Sequence, residues 1–186
     1  TDVSKIGLKL LRDKLAIIPQ HPVLLQGTVR YNLDPFKQHT DKQLKQALQK
    51  ANLNRLSLSD EIRESGEGLS VGERQLLSFA RCLVNLTDKS IVILDEPTSS
   101  VDPSTDEKIQ TVVRTAFTNQ TVIAVAHRLL TVVDFDRIFV MDQGRLAEQG
   151  TPRDLLADKN SRLSFLADGS AGLRDQLEGR LERHRQ

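Results

Sequence analysis

Nowhere in these 186 residues does Gly-x-x-x-x-Gly-Lys-Ser/Thr occur, so no phosphate-cradling loop of that kind is present. The single cysteine, Cys82, excludes an internal disulfide and makes a reducing compartment the expectation. No apolar run approaches the ~18 residues that a membrane span needs. The longest are short, such as Ile91–Leu94 and Val122–Ala126. Signal-peptide features, internal repeats and low-complexity tracts are missing. A formal net charge of +1 points to neither a polyanion-binding surface nor an acidic tail, and no nucleic-acid partner is expected. The chain opens on Thr1 and its only methionine is Met141, so it is read as part of a longer polypeptide.

What is there suits one domain, or one domain with an appendage, and an apolar content of 38% can fill a core. Four short apolar segments read as buried strands: Leu15–Ile18, Ile91–Leu94, Thr121–Ala126 and Ile138–Met141. Segments of helical period lie between them. Asp41–Ala51 follows a Thr40 cap and carries a stripe of Leu44, Ala47, Leu48 and Ala51. Glu73–Val84 sets Leu76, Leu77, Ala80, Leu83 and Val84 on one face. Asp102-Pro103 and Thr151-Pro152 each read as a cap and first turn. Alternating strands and helices predict an α/β fold with a parallel sheet flanked by helices. Asp142-Gln143-Gly144 reads as a turn into a short strand near Leu146–Glu148. From about Ser161 the chain resembles a solvated amphipathic helix, either peripheral or a docking element.

The candidate chemistry lies at strand ends and helix starts. Asp95 and Glu96 end an apolar strand, where ligands gather in parallel sheets. One carboxylate there could hold Mg²⁺ and the next could polarise a water; two solvated acids would look the same. Ser70-Val71-Gly72 opens a helix whose free N–H groups make an anion seat, but Ser70 with Glu73 also fits an ordinary capping box. His127 ends the third strand and could reach a phosphate, or be structural. Gln20 follows the first strand through Pro19, and Asp102 is first of all a helix cap. His21, His39 and His184 have no metal-ligand spacing. Cys82 reads as a packed residue.

In this order the residues resemble the C-terminal portion of an ATP-binding cassette (ABC) nucleotide-binding domain, with a helical signature subdomain at about residues 38–88. Gln20 matches the Q-loop, and Leu69-Ser-Val-Gly-Glu-Arg-Gln75 the signature. Ile91–Glu96 matches Walker B with its glutamate. Ser99-Ser-Val-Asp102 matches the D-loop, and His127 the switch histidine. The likeness covers about Thr1 to Leu156, which sets a partial domain at residues 1–160 and a C-terminal helical tail at 161–186. The stretch Ile17-Ile-Pro-Gln-His-Pro-Val-Leu-Leu-Gln-Gly-Thr-Val-Arg-Tyr-Asn-Leu-Asp-Pro-Phe36 is similar to second nucleotide-binding domains of the C subfamily, the multidrug-resistance-associated type. Leu25 departs from the phenylalanine common there, and Glu96-Pro-Thr-Ser-Ser100 from Glu-Ala-Thr-Ala-Ala.

The resemblance implies an ATP hydrolase, using ATP and Mg²⁺, that drives export of a small-molecule substrate. Two such domains pair head to tail on transmembrane domains, which set a location at the cytoplasmic face of a membrane. Gln20 and Asp95 would lie around Mg²⁺, with Glu96 as general base and His127 near the γ-phosphate. Ser70, Val71, Gly72 and Gln75 would reach ATP on the partner domain, and Asp102 would couple the two sites. Without the phosphate loop, the isolated chain is expected to show no measurable ATPase activity. Other readings are a nucleotide-sensing regulatory ABC subunit, an inactive truncated product, and the C-terminal lobe of a chromosome-maintenance ATPase. Gln20 on the same chain as Ser70 argues against the last.

Overall fold

Three parallel strands organise the first half of the chain: β1 (Leu15–Ile18), β4 (Ile91–Asp95) and β5 (Thr121–Val125), in the order β1-β4-β5. Register aligns Ile17 with Ile93 and Ile93 with Ile123 on one face, and Ile18 with Leu94 on the other. The second face is the core side: Ile18, Val92 and Leu94 are buried there. They share a cluster with Leu76, Leu77 and Phe79 of α4 (Val71–Val84) and Ile109 and Val112 of α5 (Pro103–Ala116). Phe79 stacks on Phe117 with ring centroids 6.3 Å apart. Ile17, Ile123 and Val125 on the opposite face are more than half exposed.

A computed structural model describes residues 2–98, 100–126, 128–169 and 172–183. They fall into two units, Thr1–Val125 and Ala126–Gln186. In the first, α1 (Leu8–Lys14) leads into β1, and the two-residue strands β2 (Gly27–Thr28) and β3 (Glu61–Ile62) pair antiparallel. Between these two lie α2 (Val29–Leu33), capped by Thr28, and α3 (Asp41–Lys50), whose Thr40 and Gln43 complete a capping box. The expected Leu44, Ala47 and Leu48 stripe is buried, and α3 packs on α4.

The second unit opens with α6 (Leu129–Val132) and a hairpin of β6 (Ile138–Asp142) and β7 (Arg145–Gly150). Gln143 and Gly144 both take positive φ, as a two-residue turn that follows the twist of its strands requires. The Ile138–Met141 strand of the sequence reading is thus half of an antiparallel pair, and the parallel sheet of the described residues has three strands. Three helices follow: α7 (Pro152–Ala157), α8 (Arg162–Asp168) and α9 (Leu173–Arg183). Glu148 caps α8, accepting from the Leu163 N–H (3.0 Å) and the Ser161 hydroxyl (3.1 Å). The stretch read as a solvated tail buries Leu163 and Leu177 against Leu155 and Leu156. Arg180 of α9 donates to both carboxylate oxygens of Asp134, whose side chain is 4% exposed.

Candidate functional site

Gln20, Asp95 and Glu96 meet at the carboxyl end of the parallel sheet. Pro19, with no N–H to extend the ladder, ends β1 and releases Gln20. Asp95 is the exposed last residue of β4 and pairs with Val125. Glu96 then turns into the left-handed region (φ 45°), where a non-glycine residue is strained. Its N–H donates to the Val125 carbonyl (2.9 Å), so the neighbouring strand holds that conformation. The Gln20 amide Nε2 donates to Glu96 Oε2 (3.2 Å) across 76 residues of sequence.

The second group lies at the start of α4. Ser70 is the cap: its Oγ accepts from the Glu73 N–H (3.1 Å), and its N–H donates to Glu73 Oε2 (2.9 Å). The other Glu73 oxygen accepts from Arg55 Nε. That guanidinium, then burial opposing it and the Ser70 N–H assisting, pulls the Glu73 carboxyl down to about 2. Gly72 is buried; a Cβ there would sit 2.5 Å from Thr105 Cγ2. Thr105 in turn belongs to the cap of α5, where Asp102 accepts from the Ser104 and Thr105 hydroxyls (both 2.7 Å) and their N–H groups. These bonds, the Ser104 hydroxyl first, hold the Asp102 carboxyl well below the usual carboxylate range.

The expected outward reach of Gln75 meets a different geometry. Its side chain is 2% exposed and its Nε2 donates to the Pro19 carbonyl (3.1 Å), tying α4 to the residue before Gln20. Farther along α4, Arg81 donates to the carbonyls of Val23 (3.0 Å) and Asn32 (2.8 Å) and to Asn32 Oδ1 (3.2 Å). Asn32 is buried and clasps the same loop through Leu25, donating to its carbonyl (2.8 Å) and accepting from its N–H (2.9 Å). Cys82 lies beside Arg81 on α4, and burial pushes its thiol up to about 12, which makes it unreactive. His127 and Ser99 lie outside the described residues. Sequence reasoning passed over Arg55, Thr105, Arg81 and Asn32, whose partners are far along the chain or in a second helix.

Among the described residues no three His, Cys, Asp or Glu side chains gather as a protein-made metal cage. Mg²⁺ needs none: one or two carboxylates with phosphate and water oxygens suffice. The exposed Asp95 carboxylate and the Gln20 side-chain carbonyl, both following strands of the parallel sheet at its carboxyl end, are oxygen donors of the kind it takes.

Comparison with known proteins places this arrangement. A sequence profile of the family described as "ABC transporter" matches residues 1–99. Multidrug resistance protein mrp-7 of Caenorhabditis elegans is 46% identical over 176 residues, covering 91% of this chain and 11% of the relative. ATP-binding cassette sub-family C member 4 of Homo sapiens is 48% identical over 164 residues, covering 85% of this chain and 12% of the relative. The structure of a bacterial Atm1-family ABC exporter with ATP bound superposes with a TM-score of 0.81 at 34% identity, over 92% of this chain and 31% of that one. The parallel sheet with its flanking helices is therefore the α/β fold of an ABC ATPase domain. The chain belongs to the ABC transporter family and, within it, to the C subfamily. It spans about a tenth of the length of the relatives it matches.

Proposed function

We propose that residues 1–160 serve as the C-terminal part of the second nucleotide-binding domain of a C-subfamily exporter, with 161–186 as a helical extension. ATP binding and hydrolysis there drive a small-molecule substrate across a membrane. The observation that carries the reading is the Gln20–Glu96 bond at the carboxyl end of the parallel sheet, which aims a carboxylate from a held, left-handed backbone beside Asp95. Asp95 and the Gln20 amide would hold Mg²⁺, which when bound supplies charge neutralisation at the phosphates. Glu96 accepts a proton from water as its oxygen bonds to the γ-phosphorus and the bond to the ADP oxygen breaks. His127 serves at the γ-phosphate.

Ser70, Val71 and Gly72 present the α4 start to ATP held by a second nucleotide-binding domain, paired head to tail. Asp102, through Thr105 against Gly72, links that start to α5 and so couples the two ATP sites. Gln75 is better suited as a strut between α4 and Pro19 than as an ATP contact, given its burial. The loop after Gln20 then meets the transmembrane domains. No described helix is long and apolar enough to cross a membrane.

The test is phosphate release by the full-length protein in lipid vesicles. Glu96→Gln is expected to slow it roughly 10²- to 10⁴-fold while ATP binding is retained. Turnover at the unmodified rate would sink the assignment.

A further inference from the structure

The anion seat at the start of α4 contains an anion of its own. Glu73 is the third residue of the helix, and its carboxylate is bonded to the backbone of Ser70, which opens the turn proposed to meet ATP. A bare carboxylate there would help the helix dipole but repel a polyphosphate. Arg55, from the loop after α3 and 18 residues away in sequence, covers it, with Nε on the Glu73 oxygen not used in the cap. The other cation of this turn, Arg74, is turned back onto the Leu69 carbonyl (2.7 Å). The remaining charge near Arg55 is Asp60, which is occupied by the Ser57 N–H (2.8 Å).

The Arg55 side chain is 58% exposed, and an ion pair so open to water adds little to folding. Its geometry serves the seat instead. Both Glu73 oxygens are engaged, one by Arg55 Nε and one by the Ser70 N–H, while Ser70 Oγ accepts the Glu73 N–H. We propose that Arg55 is a positioning residue for nucleotide: it neutralises and fixes Glu73 so that the Ser70 turn accepts the phosphates of ATP. The inference rests on the proposed ATP site.

Steady-state ATPase kinetics of the full-length protein test it. Ser70→Ala and Glu96→Gln probe the underlying site, and if neither alters turnover, that site reading fails whatever Arg55 does. With those two impaired, Arg55→Ala is expected to raise KM for ATP about tenfold, the size of one uncompensated charge at high effective dielectric, with kcat changed less than about twofold. Combining it with Glu73→Gln removes the exposed charge while the amide still closes the capping box, and is expected to return KM to near its original value. An unchanged KM in Arg55→Ala, or a raised KM that persists in the double variant, would overturn the proposal. Should Arg55→Ala not fold, Arg55→Gln, which keeps the length of the side chain but cannot neutralise Glu73, takes its place alone and in the double variant, with the same outcomes.

Discussion

Gly72 owes its identity to a neighbour and not to its backbone, which is not among the positive-φ glycines. Thr105 closes on it, and Thr105 cannot turn aside: it is β-branched and its hydroxyl is held by Asp102 at 2.7 Å. Gly72→Ala is therefore expected to destabilise the first unit by about 1–3 kcal/mol, and Thr105→Ala in the same chain to relieve much of that. A urea double-mutant cycle reads the coupling; additive losses would mean that the two residues do not meet. At Glu73 the expectation concerns pH. Its folded carboxyl is depressed from 4.5 to about 2, so its stabilisation is complete above about 4.5 and drains away as pH falls through about 2. In Arg55→Ala the folded carboxyl moves back toward 4.5, so the loss should be smaller and complete at a higher pH, as thermal midpoints recorded between about pH 2 and 6 would show.

Among the elements, α4 is the hub. Its apolar face was legible, because Leu76, Leu77 and Ala80 recur at helical spacing and are buried as that spacing requires. Its polar contacts were not: Gln75 and Arg81 bind residues 56 and 58 positions away, and no local pattern records such partners. The three sheet strands could be read from apolar runs. β2 and β3 are too short to show periodicity, and an apolar run at Ile138 announces a strand without naming its neighbour. Arg81→Ala removes three charge-assisted bonds, one to Val23 in the loop after Gln20 and two to Asn32, which holds that loop through Leu25. An expected loss of about 2–3 kcal/mol should come with at least about tenfold faster amide exchange over residues 21–28, and unchanged exchange there would refute the pinning.

Across the whole chain, the order of motifs made the family legible, since Gln20, Ser70-Val-Gly72, Asp95-Glu96 and Asp102 stand in one sequence. The end of the chain was harder to read, because α9 is mostly charged and its one fully buried leucine, Leu177, hides among those charges. Removing residues 172–186 strips Leu177 from its cluster and Arg180 from Asp134. The expected cost is about 3–5 kcal/mol in the second unit, measured as a lowered thermal midpoint; an unchanged midpoint would make α9 dispensable. The open face of the parallel sheet has a colloidal consequence. Ile17, Ile123 and Val125 share one face at 62%, 51% and 52% exposure, Ile17 separated from Ile123 by Ile93 of the central strand, with the outer side of β5 unclaimed by any described strand. Such a surface is adhesive, so replacing these three side chains with polar ones is expected to raise the concentration at which purified chain begins to scatter light.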